Sequence, residues 1–277
     1  MMKRKYKLVR LILVLCLVSL FMTVSTHATD IVKERKIPIY FNGKESTGIS
    51  GLLVDSTTYV PFRAFCERFG DGNILWEGKT NTASYISEDL KISVHTEKQL
   101  VEANGRFIYS ERPILNINSR IYLPIRLIAK VFGLDVEWRN NYTVNLTYGD
   151  SFLSADEFYD EEDLYWLSRI ISAESRGEPL YGKIAVGNVV LNRVNSKSFA
   201  STIKDVVFEK GQFTPVINGT LYDEPTSESL IAAKICLEGY SISDEILFFC
   251  NPVISTNSWV HNNRELLFII ENHCFYA

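Results

Sequence analysis

Thr58-Tyr-Val-Pro-Phe-Arg63 recurs as Ile121-Tyr-Leu-Pro-Ile-Arg126, 63 residues later. Phe69-Gly70 recurs as Phe132-Gly133 at the same offset, and Trp76 recurs as Trp138 at 62. A chain that repeats at this period is built from two like supersecondary units. Each unit reads as a short strand, a proline-started helix, a glycine stop and a further strand. The segments 82–86, 90–95 and 143–148 are β-rich with partial alternation. The first half is therefore expected to be a small α+β module of two similar halves. Core packing is the expected use of Trp76 and Trp138, and stacking on sugars the alternative.

These repeated motifs carry a resemblance. Over roughly residues 36–148 the chain resembles the copper amine oxidase N-terminal-like, or stalk, domain. Copper is not implied by the residues present. His95 is the sole histidine of this half, and no ligand cluster surrounds it in sequence. A spacer or wall-associating module is the expectation, with cell-wall or spore-envelope anchoring as its consequence.

Residues 1–28 stand apart from the fold. Lys3, Arg4, Lys5, Lys7 and Arg10 form a basic start, and residues 11–24 are predominantly apolar. Ser25-Thr26-His27-Ala28 then offers small residues for cleavage. This reads as a secretory signal peptide, with an uncleaved membrane anchor as the alternative. The boundaries expected are 1–28 for the signal, 29–150 for the repeated module and 151–277 for a second domain. Cys66, Cys236, Cys250 and Cys274 remain beyond the signal, too few for a disulfide framework. They read as buried free thiols, and spacing lends no support to a Cys250–Cys274 bridge.

Charge separates the halves. Residues 29–150 hold fifteen acidic and fifteen basic side chains, whereas residues 151–277 hold eighteen acidic and nine basic. A surface this acidic repels nucleic acid and anionic membranes. A glycan would have to be held there by hydrogen bonds and stacking.

In the second half, Leu164, Leu167 and Ile171 recur at spacings of three and four, the buried stripe of a helix. The next inward position is Glu174. A carboxylate on an apolar face is costly when charged, so its pKa is expected to rise. A carboxylic acid that keeps its proton near neutral pH is suited to general acid catalysis. Ser154-Ala-Asp-Glu157 is a capping box, and acidic residues crowd the same helix start, so one helix is expected to reach about Ser175. Leu180, Ile184, Gly187, Leu191 and Val194 mark a second helix, with Gly187 admitting a close neighbour. Leu230, Ala233 and Leu237 mark a third. Gly211–Gly219 reads as a loop, and the tail as aromatic and polar.

Residues 164–277 resemble the SleB/CwlJ-type cell-wall hydrolases, the spore-cortex lytic enzymes. The matching pieces are Ala173-Glu174, Arg176-Gly-Glu-Pro179, Ala185-Val-Gly-Asn-Val-Val-Leu-Asn-Arg-Val194 and Gly211-Gln-Phe-Thr-Pro-Val216. Ala232-Ala233 with Gly239, Asn251-Pro252 and His273-x-Phe-Tyr276 complete them. Ser175 departs from the usual alanine and Cys250 from the usual tyrosine.

The resemblance implies a mainly helical, lysozyme-like catalytic domain, giving an α+β chain overall. It implies cleavage of the N-acetylmuramic acid–N-acetylglucosamine bond of peptidoglycan by a lytic transglycosylase, with Glu174 as the acid and no cofactor or metal. Glu178 is the possible second carboxylate of a hydrolytic alternative. A non-catalytic wall-binding protein is the other. Gln212 and Asn251 suit N-acetyl and hydroxyl groups, or else satisfy local backbone. Phe213 lines a cleft or packs in the core, and Trp259 flanks sugars or packs. His273 and Tyr276 support the site or the fold. Arg176 binds a peptide-stem carboxylate or pairs with Glu178.

Overall fold

The computed structural model describes residues 35–139, 142–253 and 259–277. The signal-peptide reading lies outside them. Lys36–Ala277 form one compact unit. No helix among the described residues is long and apolar enough to cross a membrane.

The sheet-rich half begins with β1 (Arg35–Phe41), β2 (Lys44–Val54), β3 (Thr57–Pro61), α1 (Phe62–Phe69), β4 (Asn73–Glu77), β5 (Thr82–Ile86) and β6 (Lys91–His95). It continues with β7 (Leu100–Ala103), β8 (Arg106–Tyr109), β9 (Leu115–Ile117), β10 (Arg120–Pro124), α2 (Ile125–Val131), β11 (Leu134–Arg139) and β12 (Thr143–Tyr148). A seven-stranded sheet runs β11-β12-β1-β2-β3-β10-β9, and a five-stranded sheet runs β4-β5-β6-β7-β8. Each repeated motif forms a strand that turns directly into a helix at its proline, Pro61 before α1 and Pro124 before α2. Proline fixes φ and lacks the N–H that a first turn cannot pair, so the strand-to-helix change falls there.

The two glycine stops do different work. Gly133 sits at φ +61, which a side chain rarely adopts, and so ends α2. Gly70 has an extended backbone, but a Cβ there would meet the Tyr85 hydroxyl at 2.1 Å. Ile37, Phe65, Ile92, Leu123, Ile128 and Leu146 are among the core side chains between these elements. Trp76 and Trp138 are not: they lie on β4 and β11, 51% and 43% exposed. The expected core packing of both indoles is therefore corrected.

The helical half comprises α3 (Ala155–Phe158), α4 (Glu161–Ser175), α5 (Leu180–Asn195), α6 (Ile203–Phe208), α7 (Thr214–Asn218) and α8 (Ser227–Leu237). It closes with β13 (Phe248–Cys250), α9 (Trp259–Asn263), β14 (Leu266–Ile270) and β15 (His273–Tyr276). The chain is thus α+β, with a sheet-rich module followed by a mainly helical domain. Three details differ from the sequence reading. The capping box starts only α3, and Asp160 caps α4 afresh through the Asp163 N–H. The break at Tyr159 serves a distant contact, because its hydroxyl donates to Glu238 at 3.0 Å. The 211–219 segment contains helix α7, and the tail forms a three-stranded sheet, β13-β15-β14.

Helices α4, α5 and α8 pack against one another because α5 is buried almost all round, from Gly182 to Val190. A Cβ on Gly187 would come within 2.6 Å of Cys236 Sγ on α8 and 2.8 Å of Ile171 Cδ1 on α4. The glycine is what lets both helices close on α5.

The two halves share a core. Leu100 of β7 is buried in the helical core, and Phe107 and Tyr109 pack against it. Arg106 donates to both Glu238 oxygens, at 2.7 and 2.9 Å, with the pair almost fully buried. The guanidinium also lies over Phe152 and Phe158. Lys130 adds a 3.0 Å bond to Glu238. Burial would raise the Glu238 pKa, but these donors overcome it and hold the carboxyl below its usual range.

Candidate active site

Glu174 ends the buried stripe of α4. Leu167, Ile170 and Ile171 are fully buried along it, and Glu174 is half-buried. Its carboxyl group makes no hydrogen bond among the described residues. Burial pushes its carboxyl up to about 7, and the Arg193 guanidinium acts in the opposite direction. The shift therefore has the sign and cause that the sequence pattern predicts.

Arg193 is the residue that periodicity missed. The stripe reading placed Leu191 and Val194 inward, yet both are half-buried, and Arg193 is 4% exposed. Its guanidinium carbon lies 5.0, 5.2 and 5.4 Å from the ring centres of Phe199, Phe213 and Phe248. Nε donates to the Leu247 carbonyl at 2.8 Å. Burial lowers its pKa to about 10, opposed by Glu209 and Glu174. Nη1 of Arg193 and Oε2 of Glu209 are buried without partners. Groups orphaned in this way are uncommon and mark places where a ligand or water completes the bonding. The aromatic residues clustered around the family motifs were the available signal, because a cation on a helix's last turn is held where π-faces gather.

The second carboxylate lies elsewhere. Glu178 follows the end of α4, with its N–H on the Ser175 carbonyl at 3.0 Å, and is 6% exposed. Its Oε1 accepts from Asn272 Nδ2 at 3.1 Å, at the β14–β15 turn. His273 Nδ1 stands 3.5 Å away, too far for a good bond. Burial holds the His273 imidazole below its usual range, with Glu178 opposing, so it is neutral at pH 7 and the contact is not an ion pair. Oε2 of Glu178 is buried and unpartnered.

The remaining candidates divide. Phe213 is 3% exposed, so it belongs to the core and to the ring set around Arg193 rather than to an open cleft. Arg176 does not pair with Glu178; it is exposed and donates to the Glu224 carbonyl at 3.3 Å. Gln212 is exposed. Asn251 accepts from the Val253 N–H at 3.0 Å, the local backbone role. Trp259 is 49% exposed, with Arg264 over its ring at 5.2 Å. Tyr276 is fully buried, its hydroxyl 3.2 Å from His261 Nδ1 and 3.7 Å from Cys250 Sγ. His273 and Tyr276 thus support the wall of the domain from within.

All four described cysteines are free. Register sets Cys250 directly opposite Cys274 across β13 and β15, a juxtaposition their spacing did not reveal. No group of three or more His, Cys, Asp or Glu side chains among the described residues could hold a metal ion.

Residues 177–276 match the Cell Wall Hydrolase family model, and residues 40–146 match the Copper amine oxidase N-terminal domain model. Glu174 lies just before the first of these spans. A spore cortex-lytic enzyme of Oceanobacillus iheyensis is 32% identical over 43% of this chain and 44% of its own. One from Bacillus cereus is 35% identical over 39% of this chain and 42% of its own. The chain therefore spans under half the length of these curated relatives. The solved catalytic domain of the germination-specific lytic transglycosylase SleB from Bacillus anthracis is 33% identical, over 43% of this chain and 97% of that one, with a TM-score of 0.41. This chain joins a copper amine oxidase N-terminal-like domain to a cell wall hydrolase domain whose relatives are spore cortex-lytic enzymes.

Proposed function

We propose that this protein cuts the glycan strands of peptidoglycan between N-acetylmuramic acid and N-acetylglucosamine, as a lytic transglycosylase with Glu174 as its single acid and base. The half-buried Glu174 carboxyl, titrating near 7 beside Arg193, carries the reading. Such a group is protonated in a large fraction of molecules at neutral pH and can also exist as a base.

The neutral acid donates its proton to the bridging oxygen as the bond to the muramic C1 breaks. Positive charge develops on the ring, and the sugar's own acetamido oxygen stabilises it. Arg193 lowers the cost of the carboxylate that Glu174 has become. That carboxylate takes the proton of the 6-hydroxyl, whose oxygen closes on C1. A 1,6-anhydro end forms, Glu174 regains its proton and no water is consumed.

Glu178 supports this reading over hydrolysis. A second carboxylate that activates water must reach that water, and Glu178 is buried against the β14–β15 hairpin. The names of the relatives support the substrate, spore cortex or cell wall, and the signal-like start supports export to it. Mass spectrometry of muropeptides released from purified peptidoglycan tests the mechanism. Anhydromuramic ends are expected, and reducing muramic ends would overturn it. Wild-type clearing by Glu174→Gln would overturn the role of Glu174.

A further inference from the structure

The sequence repeat becomes a local twofold in the seven-stranded sheet. Strands β3 and β10 lie antiparallel, with Val60 opposite Leu123, Tyr59 opposite Pro124 and Pro61 opposite Tyr122. Shifted by 63 residues, Tyr59, Val60 and Pro61 are Tyr122, Leu123 and Pro124. The axis therefore passes through the Val60–Leu123 pair. A surface feature built from equivalent positions of both repeats can therefore occur twice.

It does. One groove, of about 550 Å³, takes Pro61, Arg63 and Trp76 from the first repeat and residues 119–121 from the second. Another, of about 780 Å³, takes Pro124, Arg126 and Trp138 from the second repeat and residues 56–58 from the first. The equivalent positions are used in both, with the roles of the repeats exchanged. Each groove has a half-exposed indole as one wall.

Both grooves also carry an excess of cations, largely from non-equivalent positions. The smaller groove holds Lys36, Arg63 and Arg120 against Glu67, and the larger holds Arg112, Arg126 and Lys130 against Glu111. Arg63 is paired with Glu67, and Lys130 with Glu238. Lys36, Arg112, Arg120 and Arg126 have no ion-pair partner among the described residues. Only Arg63 and Arg126 are related by the repeat, yet each groove sets two cations without an ion-pair partner beside an open indole, a surface shaped for an anion with a flat apolar face.

We propose that these grooves are twin binding sites for carboxylate-bearing peptidoglycan strands. A pyranose face rests on Trp76 or Trp138, and lactyl or peptide carboxylates meet the guanidinium groups. The identity of the glycan rests on the function proposed above; the pairing of the sites does not. Two sites on one module engaging one polymer bind far more tightly than either alone.

The test is cosedimentation of the full chain carrying Glu174→Gln with purified peptidoglycan freed of teichoic acid. Trp76→Ala and Trp138→Ala should each weaken binding about tenfold, and the double variant more than about a hundredfold. Arg120→Glu with Arg126→Glu, both at the surface, should weaken it similarly while leaving the thermal melt unchanged, which separates lost binding from lost folding. Unchanged pelleting of the double tryptophan variant overturns the proposal. Equal displacement by soluble DNA or teichoic acid would show a general polyanion surface and overturn the glycan assignment. Cutting by the wild type is scored separately. A chain that binds through the grooves but releases no muropeptides defeats the proposed reaction and leaves the sites standing. A chain that cuts while its double variant binds normally does the reverse.

Discussion

Arg106 grips both carboxylate oxygens of Glu238, at 2.7 and 2.9 Å, and in doing so fastens the sheet-rich module to the helical domain. Both side chains are almost dry. Removing one partner of a buried pair leaves the other uncompensated and costs about 3–5 kcal/mol. Arg106→Met is expected near the lower end, because Lys130 and Tyr159 still donate to Glu238. Glu238→Leu strands Arg106 and is expected to cost more. Because the folded-state pKa of Glu238 is depressed, its contribution is present above the usual carboxylate range and is lost as pH falls through the folded value. Urea melts of the wild type and the two variants, at pH 7 and at pH 4, check both the order and the sign.

Deleting residues 36–150 should harm the helical half itself. Sequence alone suggested a spacer or wall-associating module, but Leu100, Phe107 and Tyr109 cover part of the helical core. The fragment 151–277 is expected to melt several degrees lower than the full chain or to aggregate, as exposed apolar patches do. A fragment with an unchanged melting temperature, cutting soluble glycan at the full rate, would contradict this.

Activity should fall as pH rises through about 7, because the proposed reaction starts from protonated Glu174. Arg193 lowers that pKa, so Arg193→Met should carry the alkaline limb to higher pH even as the overall rate drops. Initial rates on purified peptidoglycan between pH 5 and 9 report both limbs. An alkaline limb that stays in place in the variant would separate Arg193 from Glu174.

The same burial makes Glu174 a cost to the fold. Its folded-state pKa is raised above the ordinary 4.5, so stability is fully present below that value and is lost as pH rises through about 7. Glu174→Gln is therefore expected to be more stable than wild type at pH 8, by about 2 kcal/mol, and equal to it at pH 4. Denaturant midpoints at the two pH values decide it.

Gly187→Ala should destabilise by about 1–3 kcal/mol, because its new methyl meets Cys236 and Ile171. Adding Cys236→Ala should restore part of the loss. Additive losses would show that the helices adjust in some other way.

Much of the fold was legible because it is local. Helices α4, α5 and α8 follow from three-and-four spacing, and the strand-to-helix turns follow from Pro61 and Pro124. Glu174 stood out because it interrupts such a stripe. What stayed hidden depends on distant partners. The break at Tyr159 answers to Glu238, far along the chain. Strands β13 and β15 are short and pair across an intervening helix and strand, so their aromatic residues gave no period to count. Arg193 was hidden because burial of a cation depends on which rings surround it, and those rings come from three separate segments. Glu178 stands near Glu174 in sequence, yet the turn after α4 commits its side chain to Asn272.

The shared core also sets a length scale. A domain on a slack tether samples many positions and cuts wherever it lands. Here the grooves and Glu174 belong to one compact body. Where the grooves hold a strand, the blade can fall only at a fixed distance from the grip, and the spacing of nicks would then be measured out by the protein's own dimensions.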